Sequence, residues 1–223
     1  MDRFYSPVER FIRANTTLRA LALVPELSLH LASEEQKLLI WQQIETWLGQ
    51  RDQPPPYWAF SWPGGEAVAR YLLDHRKAVA GKRVIDVGAG GGVVTVAAAV
   101  AGAAQVVGND IDRLALAALR LNAEANGVTV VVSADDWLAG PPGAPDAEVV
   151  TAGDVFYGPE LTAQAMAWLR GHASLGRLVL LGDPGRRFLA TAGLEALATY
   201  PMPATQDVDN RHLSEITVWR VLA

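Results

Sequence analysis

The 223 residues carry 19 Lys+Arg against 24 Asp+Glu, four His and no Cys, for a formal net charge of −5. Half of them are hydrophobic and 19% are charged, which excludes a disordered chain, and the length suits one domain with an appendage. The lack of cysteine excludes disulfides, thiolate nucleophiles and Cys-ligated metal, and the acidic balance argues against a sequence-independent grip on nucleic acid phosphates.

The first residues, Met-Asp-Arg-Phe-Tyr-Ser-Pro, show no secretory pattern, and the apolar run 93–104 is too short and too broken for a membrane span. The expectation is a cytoplasmic protein, monomeric, with neither a membrane nor nucleic acid as partner. Ser6, Pro7 and Glu9 predict a capped helix start, with Val8, Phe11 and Ile12 on one face. The alternation Leu27, Leu29, Leu31 predicts a short strand or extended arm. Ser33 and Gln36 predict a second capping box, opening a helix with the stripe Ile40, Trp41, Ile44, Trp47 and Leu48. Gly49 and Pro54-Pro55-Pro56 end it. Residues 1–55 are therefore expected to form a helical extension packed on a main domain, 56–223.

From Lys82 onward short Val/Ile runs alternate with Ala/Leu-rich stretches of helix length. Strands are expected at 83–87, 105–109, 128–132, 148–152, 177–181, weakly near 205–208, and at 216–221. Helices are expected at 94–101, 113–126 and 159–171. Such alternation means an α/β fold with a mostly parallel sheet covered on both faces. The last two strands have no helix between them, so the final strand is expected to run in reverse.

Chemistry is concentrated at strand ends, where open α/β sheets bind ligands. The first main-domain strand runs into Asp86-Val87-Gly88-Ala89-Gly90-Gly91-Gly92. So many glycines allow a tight turn and a close backbone approach to a ligand, and the next helix offers its N–H groups. A dinucleotide pattern would want glycine where Val93 stands, and Asp86 suits a cationic ligand better than a pyrophosphate. The second strand ends Asn109-Asp110-Ile111-Asp112, which places a carboxylate where vicinal hydroxyls can be held. Asp112 fits the cap of the following helix. Upstream, the aromatic segment Tyr57-Trp58-Ala59-Phe60-Ser61-Trp62-Pro63-Gly64-Gly65 reads either as a hydrophobic clamp for the extension or as a lid over a ligand. The fourth strand ends Gly153-Asp154-Val155-Phe156-Tyr157.

The Asp86-x-Gly88-x-Gly90-x-Gly92 pattern resembles the signature of class I, seven-strand S-adenosylmethionine-dependent methyltransferases. The resemblance implies a Rossmann-like seven-strand sheet with a reversed last strand and S-adenosyl-L-methionine as cofactor. It implies Asp86, Gly88 and Gly90 near the methionine part, with Phe60, Trp62 and Gly65 as a lid there. Asp110 would hold the ribose with Ile111 beside the adenine; Asp136, or Asp135, would bind the adenine amino group, with Trp137 flanking the ring. Asp154 and Tyr157 would face the transferred methyl as catalytic residues.

Trp58 to Gly65, Asn109-Asp110-Ile111-Asp112, Gly153 to Tyr157 and Gly182-Asp183-Pro184-Gly185-Arg186 together resemble protein lysine methyltransferases, most closely the branch that modifies the electron transfer flavoprotein beta subunit. That implies a protein substrate, with a small-molecule (amine or nicotinamide-like) or ribosomal-protein N-methyltransferase as the alternative. The Asn-Pro-Pro-Tyr type of motif is absent, against a base-modifying enzyme. The four histidines lack ligand spacing and no metal is expected. Arg186-Arg187 and Arg76-Lys77 read as solvated cations or contacts for an acidic partner.

Overall fold

The structure, a computed structural model, describes residues 6–141, 146–201 and 215–223. Helix α1 (Pro7–Asn15) starts at the expected box: Ser6 Oγ accepts the Glu9 N–H at 3.3 Å, and Glu9 accepts the Ser6 N–H at 2.7 Å. An antiparallel hairpin follows, β1 (Thr17–Ala20) with β2 (Ser28–Leu31). All four residues of β1 are exposed, whereas β2 buries Leu29 and His30, so β1 has no buried face of its own and exists by pairing with β2. Helix α2 (Lys37–Leu48) begins after a single 3₁₀ turn at Glu34–Gln36. Only half of the second capping box is present, the Ser33 N–H reaching Gln36 Oε1 at 3.0 Å. Its buried stripe is also narrower than expected: Ile40 and Ile44 are buried, whereas Trp47 and Leu48 are each 41% exposed. Trp47 instead stacks on Phe11. The N-terminal region is thus helix, hairpin and helix rather than helical throughout.

The main sheet has seven strands in the order β5-β4-β3-β6-β7-β9-β8. They are β3 (Arg83–Val87), β4 (Gln105–Asn109), β5 (Val131–Ser133), β6 (Val149–Gly153), β7 (Leu178–Asp183), β8 (Leu194–Pro201) and β9 (Glu215–Val221). β3 to β7 run parallel to one another, and β9 runs antiparallel to both β7 and β8. The α/β class, the parallel sheet and the reversed last strand are as the sequence predicts. The penultimate strand is not: it is β8, and the expected 205–208 segment lies outside the described residues. Residues 194–201 are rich in Ala, Leu and Glu, a helix-forming composition that pairing with β9 overrides.

Helices α3 (Pro63–Asp74), α4 (Val93–Val100), α5 (Arg113–Ala125) and α6 (Pro159–Ser174) cover the sheet. Alternate residues of each central strand point to opposite faces. Val84, Val149 and Leu180 join the core under α3 and α4; Ile85, Val150 and Val179 join the core under α6. A third cluster brings Ile12, Ala32, Ile40 and Ile44 of the N-terminal region onto Trp58 and the Ala118–Leu121 face of α5. This burial fixes the 57–65 segment between the extension and the sheet ends. Among the described residues no helix is long and apolar enough to cross a membrane.

Candidate active site

The cleft lies at the C-terminal ends of β3 and β6. Phe60, Trp62, Gly65, Asp86, the loop 88–92 and Asp154 line it. Gly88, Gly90 and Gly92 have φ of +66°, +53° and +86°, a region L side chains rarely adopt. At Gly91 a Cβ would stand 2.7 Å from the Trp58 carbonyl oxygen. The loop is therefore a backbone cradle pressed against the aromatic segment. Asn122 of α5 supports it, donating to the Gly91 carbonyl at 2.8 Å and accepting the His30 N–H at 2.7 Å.

Asp86 sits beneath the cradle. It is buried, and its carboxylate accepts Thr95 Oγ1 at 2.7 Å and Thr151 Oγ1 at 2.9 Å. Burial pushes its pKa up to about 6, against the lowering effect of those hydroxyls. Asp110, at the tip of β4, accepts the Gly90 N–H at 2.8 Å on one oxygen and the Asp112 N–H at 2.9 Å on the other. Each oxygen keeps acceptor capacity for a hydroxyl. Asp112 caps α5 through the Leu114 N–H, as expected.

The enclosed part of the cleft is not lined by Asp110, Ile111, Asp136, Trp137 or Tyr157. Asp110 meets its wall through Gly90, and Ile111 beside it is 71% exposed. Asn109 ties the tips of β4 and β5 together, donating to the carbonyls of Ser133 at 3.1 Å and Asp135 at 2.8 Å. Asp135 holds the Ser133 hydroxyl at 2.8 Å, while exposed Asp136 accepts a local N–H, from Ala139 at 3.2 Å. Trp137 packs on the α6-side core.

At the tip of β6, Asp154 has φ of +57°, a left-handed conformation that costs a non-glycine residue about 1 kcal/mol and here aims the carboxylate back into the cleft. Its Oδ2 accepts the Gly65 N–H at 2.8 Å and its Oδ1 accepts Arg186 at 2.9 Å, both side chains being almost wholly buried. The carboxylate thus meets the positive end of α3 rather than capping α6, whose N-cap is Gly158. Burial raises its pKa, opposed by Arg186 and the Gly65 N–H. The fit needs glycine on both sides: a Cβ on Gly153 would lie 2.7 Å from Gly65 Cα, and one on Gly182 would overlap Gly64. Tyr157 is exposed, its ring centroid 5.7 Å from that of Tyr57, which stands 5.7 Å from Trp62. Three rings therefore make a continuous aromatic rim. Burial raises the Tyr157 hydroxyl pKa, aided by Tyr57 and the Asp110 charge.

Arg186 corrects an expectation: it is neither solvated nor a surface contact, but buried against Asp154 with its guanidinium 5.7 Å from the Trp62 ring. Arg187 is exposed over Phe188. Tyr57 and Asp183 are also part of the arrangement. Their signals were the aromatic density of 57–62 and the Gly182-Asp183-Pro184-Gly185-Arg186 run; what composition does not show is burial. His30 and His172 are packed in the interior, burial holding both pKa values down, that of His172 to about 4. His75 stacks on Tyr71, and His212 lies outside the described residues. Among the described residues no group of His, Asp and Glu is arranged to hold a metal ion.

A glycine cradle that side chains would fill, an acceptor carboxylate at the β4 tip and a buried carboxylate below fit a ligand with vicinal hydroxyls and a cationic amino-acid end. With the seven-strand order and reversed β9, they define a class I S-adenosylmethionine-dependent methyltransferase. The family model described as Ribosomal protein L11 methyltransferase (PrmA) matches residues 70–152, the cofactor half. A solved 16S rRNA N2 G1207 methyltransferase of T. thermophilus, in complex with AdoMet and guanosine, shares the fold with a TM-score of 0.54 at 19% identity, over 73% of this chain and 43% of that one. Over nearly the whole chain the likeness is narrower. The electron transfer flavoprotein beta subunit lysine methyltransferase of Xenopus laevis is 37% identical over 215 residues, covering 94% of this chain and 85% of its own. That of Rattus norvegicus is 33% identical over 219 residues, covering 95% and 83%. The chain belongs to the electron transfer flavoprotein beta subunit lysine methyltransferase family.

Proposed function

We propose that the protein transfers methyl groups to lysine on the electron transfer flavoprotein beta subunit. The carrying observation is the chain-wide likeness to enzymes of that name, joined to a carboxylate and an aromatic rim at the mouth of the cofactor cleft. S-adenosylmethionine supplies a methyl on a sulfonium, with a thioether as leaving group. Such a leaving group needs no acid, so the chain's tasks are to orient two reactants and to receive lysine as a neutral amine.

In this reading Asp110 holds the ribose hydroxyls, with Ile111 and Trp137 beside the adenine and Asp136 at its amino group. Gly88 and Gly90 face the methionine part above Asp86, and Phe60, Trp62 and Gly65 close over it. Asp154 accepts a hydrogen bond from the lysine nitrogen. The named partners of Asp154 leave acceptor room for it among the four lone-pair sites of a carboxylate. Tyr157 and Tyr57 shed water from the lysine stem, which favours the uncharged form. The enzyme is read as a cytoplasmic monomer acting on neither nucleic acid nor membrane. The net charge of −5 supports the exclusion of a polyanion. Residues 1–55 are read as an extension serving the 56–223 domain, supported by the shared cluster on α5.

Comparing two variants tests the roles. Asp110→Ala should weaken cofactor binding at least about tenfold, through lost ribose bonds. Asp154→Asn should leave that binding within about threefold while lowering turnover by about a hundredfold. Wild-type turnover in Asp154→Asn removes Asp154 from the chemistry.

A further inference from the structure

The reading above leaves Arg186 without a task, although it makes the one ion pair among those described whose two side chains are both almost fully buried. Burying a guanidinium and a carboxylate together is not a cheap route to stability, since apolar residues of like volume serve as well. The turn that carries Arg186 is built to aim it. Asp183 Oδ1 accepts the N–H groups of Gly185 and Arg186, both at 2.7 Å, so the end of β7 folds the guanidinium back toward β6. It arrives 2.9 Å from Asp154 Oδ1 and 5.7 Å from the Trp62 centroid. Asp154 is fixed from its other side by the Gly65 N–H of α3. The chain Asp183, Arg186, Asp154, Gly65 therefore links two strand ends to the segment that lines the cofactor cleft.

We propose that Arg186 is a positioning residue for methyl transfer: it holds Asp154 in place as half of a net-neutral ion pair, so that a lysine arriving at the carboxylate loses its proton more readily than beside a lone anion. This rests on the reading that Asp154 faces the substrate nitrogen. An isolated carboxylate a few ångströms away stabilises an ammonium and raises its pKa by about 1–3 units; a guanidinium on the same carboxylate cancels most of that. The ammonium gives its proton to water, and the freed lone pair takes the sulfonium methyl, the N–C bond forming as the S–C bond breaks and its electron pair leaves on the thioether. Charged groups around Asp154 do not alter the sign. Asp183 interacts with both Asp154 and Arg186, and its second oxygen is buried without a partner; burial raises its pKa to about 6, so above that pH it adds the same negative charge in wild type and in every Arg186 variant. Glu66 of α3 is committed to the Leu23 N–H at 3.0 Å, and Asp86 of β3 to Thr95 and Thr151. Tyr157, on the same loop, is neutral at physiological pH, its pKa lying above the ordinary value.

The test compares wild type, Arg186→Lys and Arg186→Met by the pH profile of methyl transfer to recombinant electron transfer flavoprotein beta subunit, with saturating S-adenosylmethionine. Arg186→Met should move the acid limb of kcat up by about one pH unit, losing about tenfold near neutrality and recovering at high pH. Arg186→Lys should keep the limb where it is. An Arg186→Met profile lowered evenly at every pH marks a merely structural residue and overturns the proposal. A second measurement needs no substrate: carboxyl NMR of aspartate-labelled protein should show Asp154 titrating higher in Arg186→Met than in wild type. Identical titration overturns the pair's role. If wild type transfers nothing to that subunit, the substrate reading falls and the titration alone decides the pair.

Discussion

Asp86 shows how a single residue can serve the site against the fold. Its pKa is raised from 3.8 to about 6 because burial outweighs two hydroxyl donors. The folded form therefore holds the proton more tightly than the unfolded chain does, and stability falls as pH rises from about 4 to about 6. Two pK units correspond to about 3 kcal/mol. Asp86→Asn is expected to be flatter in this window and more stable at pH 7, while binding cofactor less well; urea unfolding at several pH values reads the first part and calorimetric titration the second. Gly182 makes the opposite point, that an absent side chain can be a requirement. A Cβ there would overlap the first turn of α3, so Gly182→Ala should destabilise by about 1–3 kcal/mol and loosen the Gly65 bond to Asp154, seen as a lower midpoint and slower turnover. The placement of Asp110 and Asp154 at strand tips was legible in the sequence because the apolar runs that make those strands are local. Arg186 was not: two adjacent arginines look alike in a chain, and only the Asp183 turn separates the buried one from the exposed one.

At the scale of elements, the cradle and the N-terminal hairpin are joined by one side chain of α5. Asn122 is fully buried, donates to Gly91 and accepts from His30. Asn122→Ala would leave the buried His30 N–H unpaired, at about 1–3 kcal/mol, and the half-buried Gly91 carbonyl without this donor. The expected outcome is a lower unfolding midpoint together with weaker cofactor binding, although Asn122 is absent from the cleft lining; binding unchanged in a destabilised variant would show that the hairpin does not brace the loop. The α1 box, the cap of α5 and β3, β4 and β9 were readable because capping chemistry and apolar runs are local. β1 and β8 were not, since each owes its form to a partner strand. α2 shows a milder case, in which the sequence marks the helix but tertiary packing selects Ile40 and Ile44 over Trp47 and Leu48.

Over the whole molecule, catalytic means follow from composition. A chain without cysteine has no thiolate to offer, and the site collects carboxylates at the tips of β3, β4, β6 and β7, with one buried arginine among them. The N-terminal region covers α5 and holds the aromatic segment against the glycine loop, so extension, loop and cleft share the 57–65 wall. The sheet order and the strand-tip carboxylates mark the class, and under the proposed function the aromatic rim and the Asp154–Arg186 pair form the substrate side. The central claim is the substrate itself. Purified enzyme, S-adenosylmethionine and unmethylated electron transfer flavoprotein beta subunit should yield lysine-linked methyl groups by peptide mass spectrometry, absent with Asp154→Asn. An unmodified subunit, with methyl groups passing instead to a ribosomal protein or a small amine offered under the same conditions, would contradict the account.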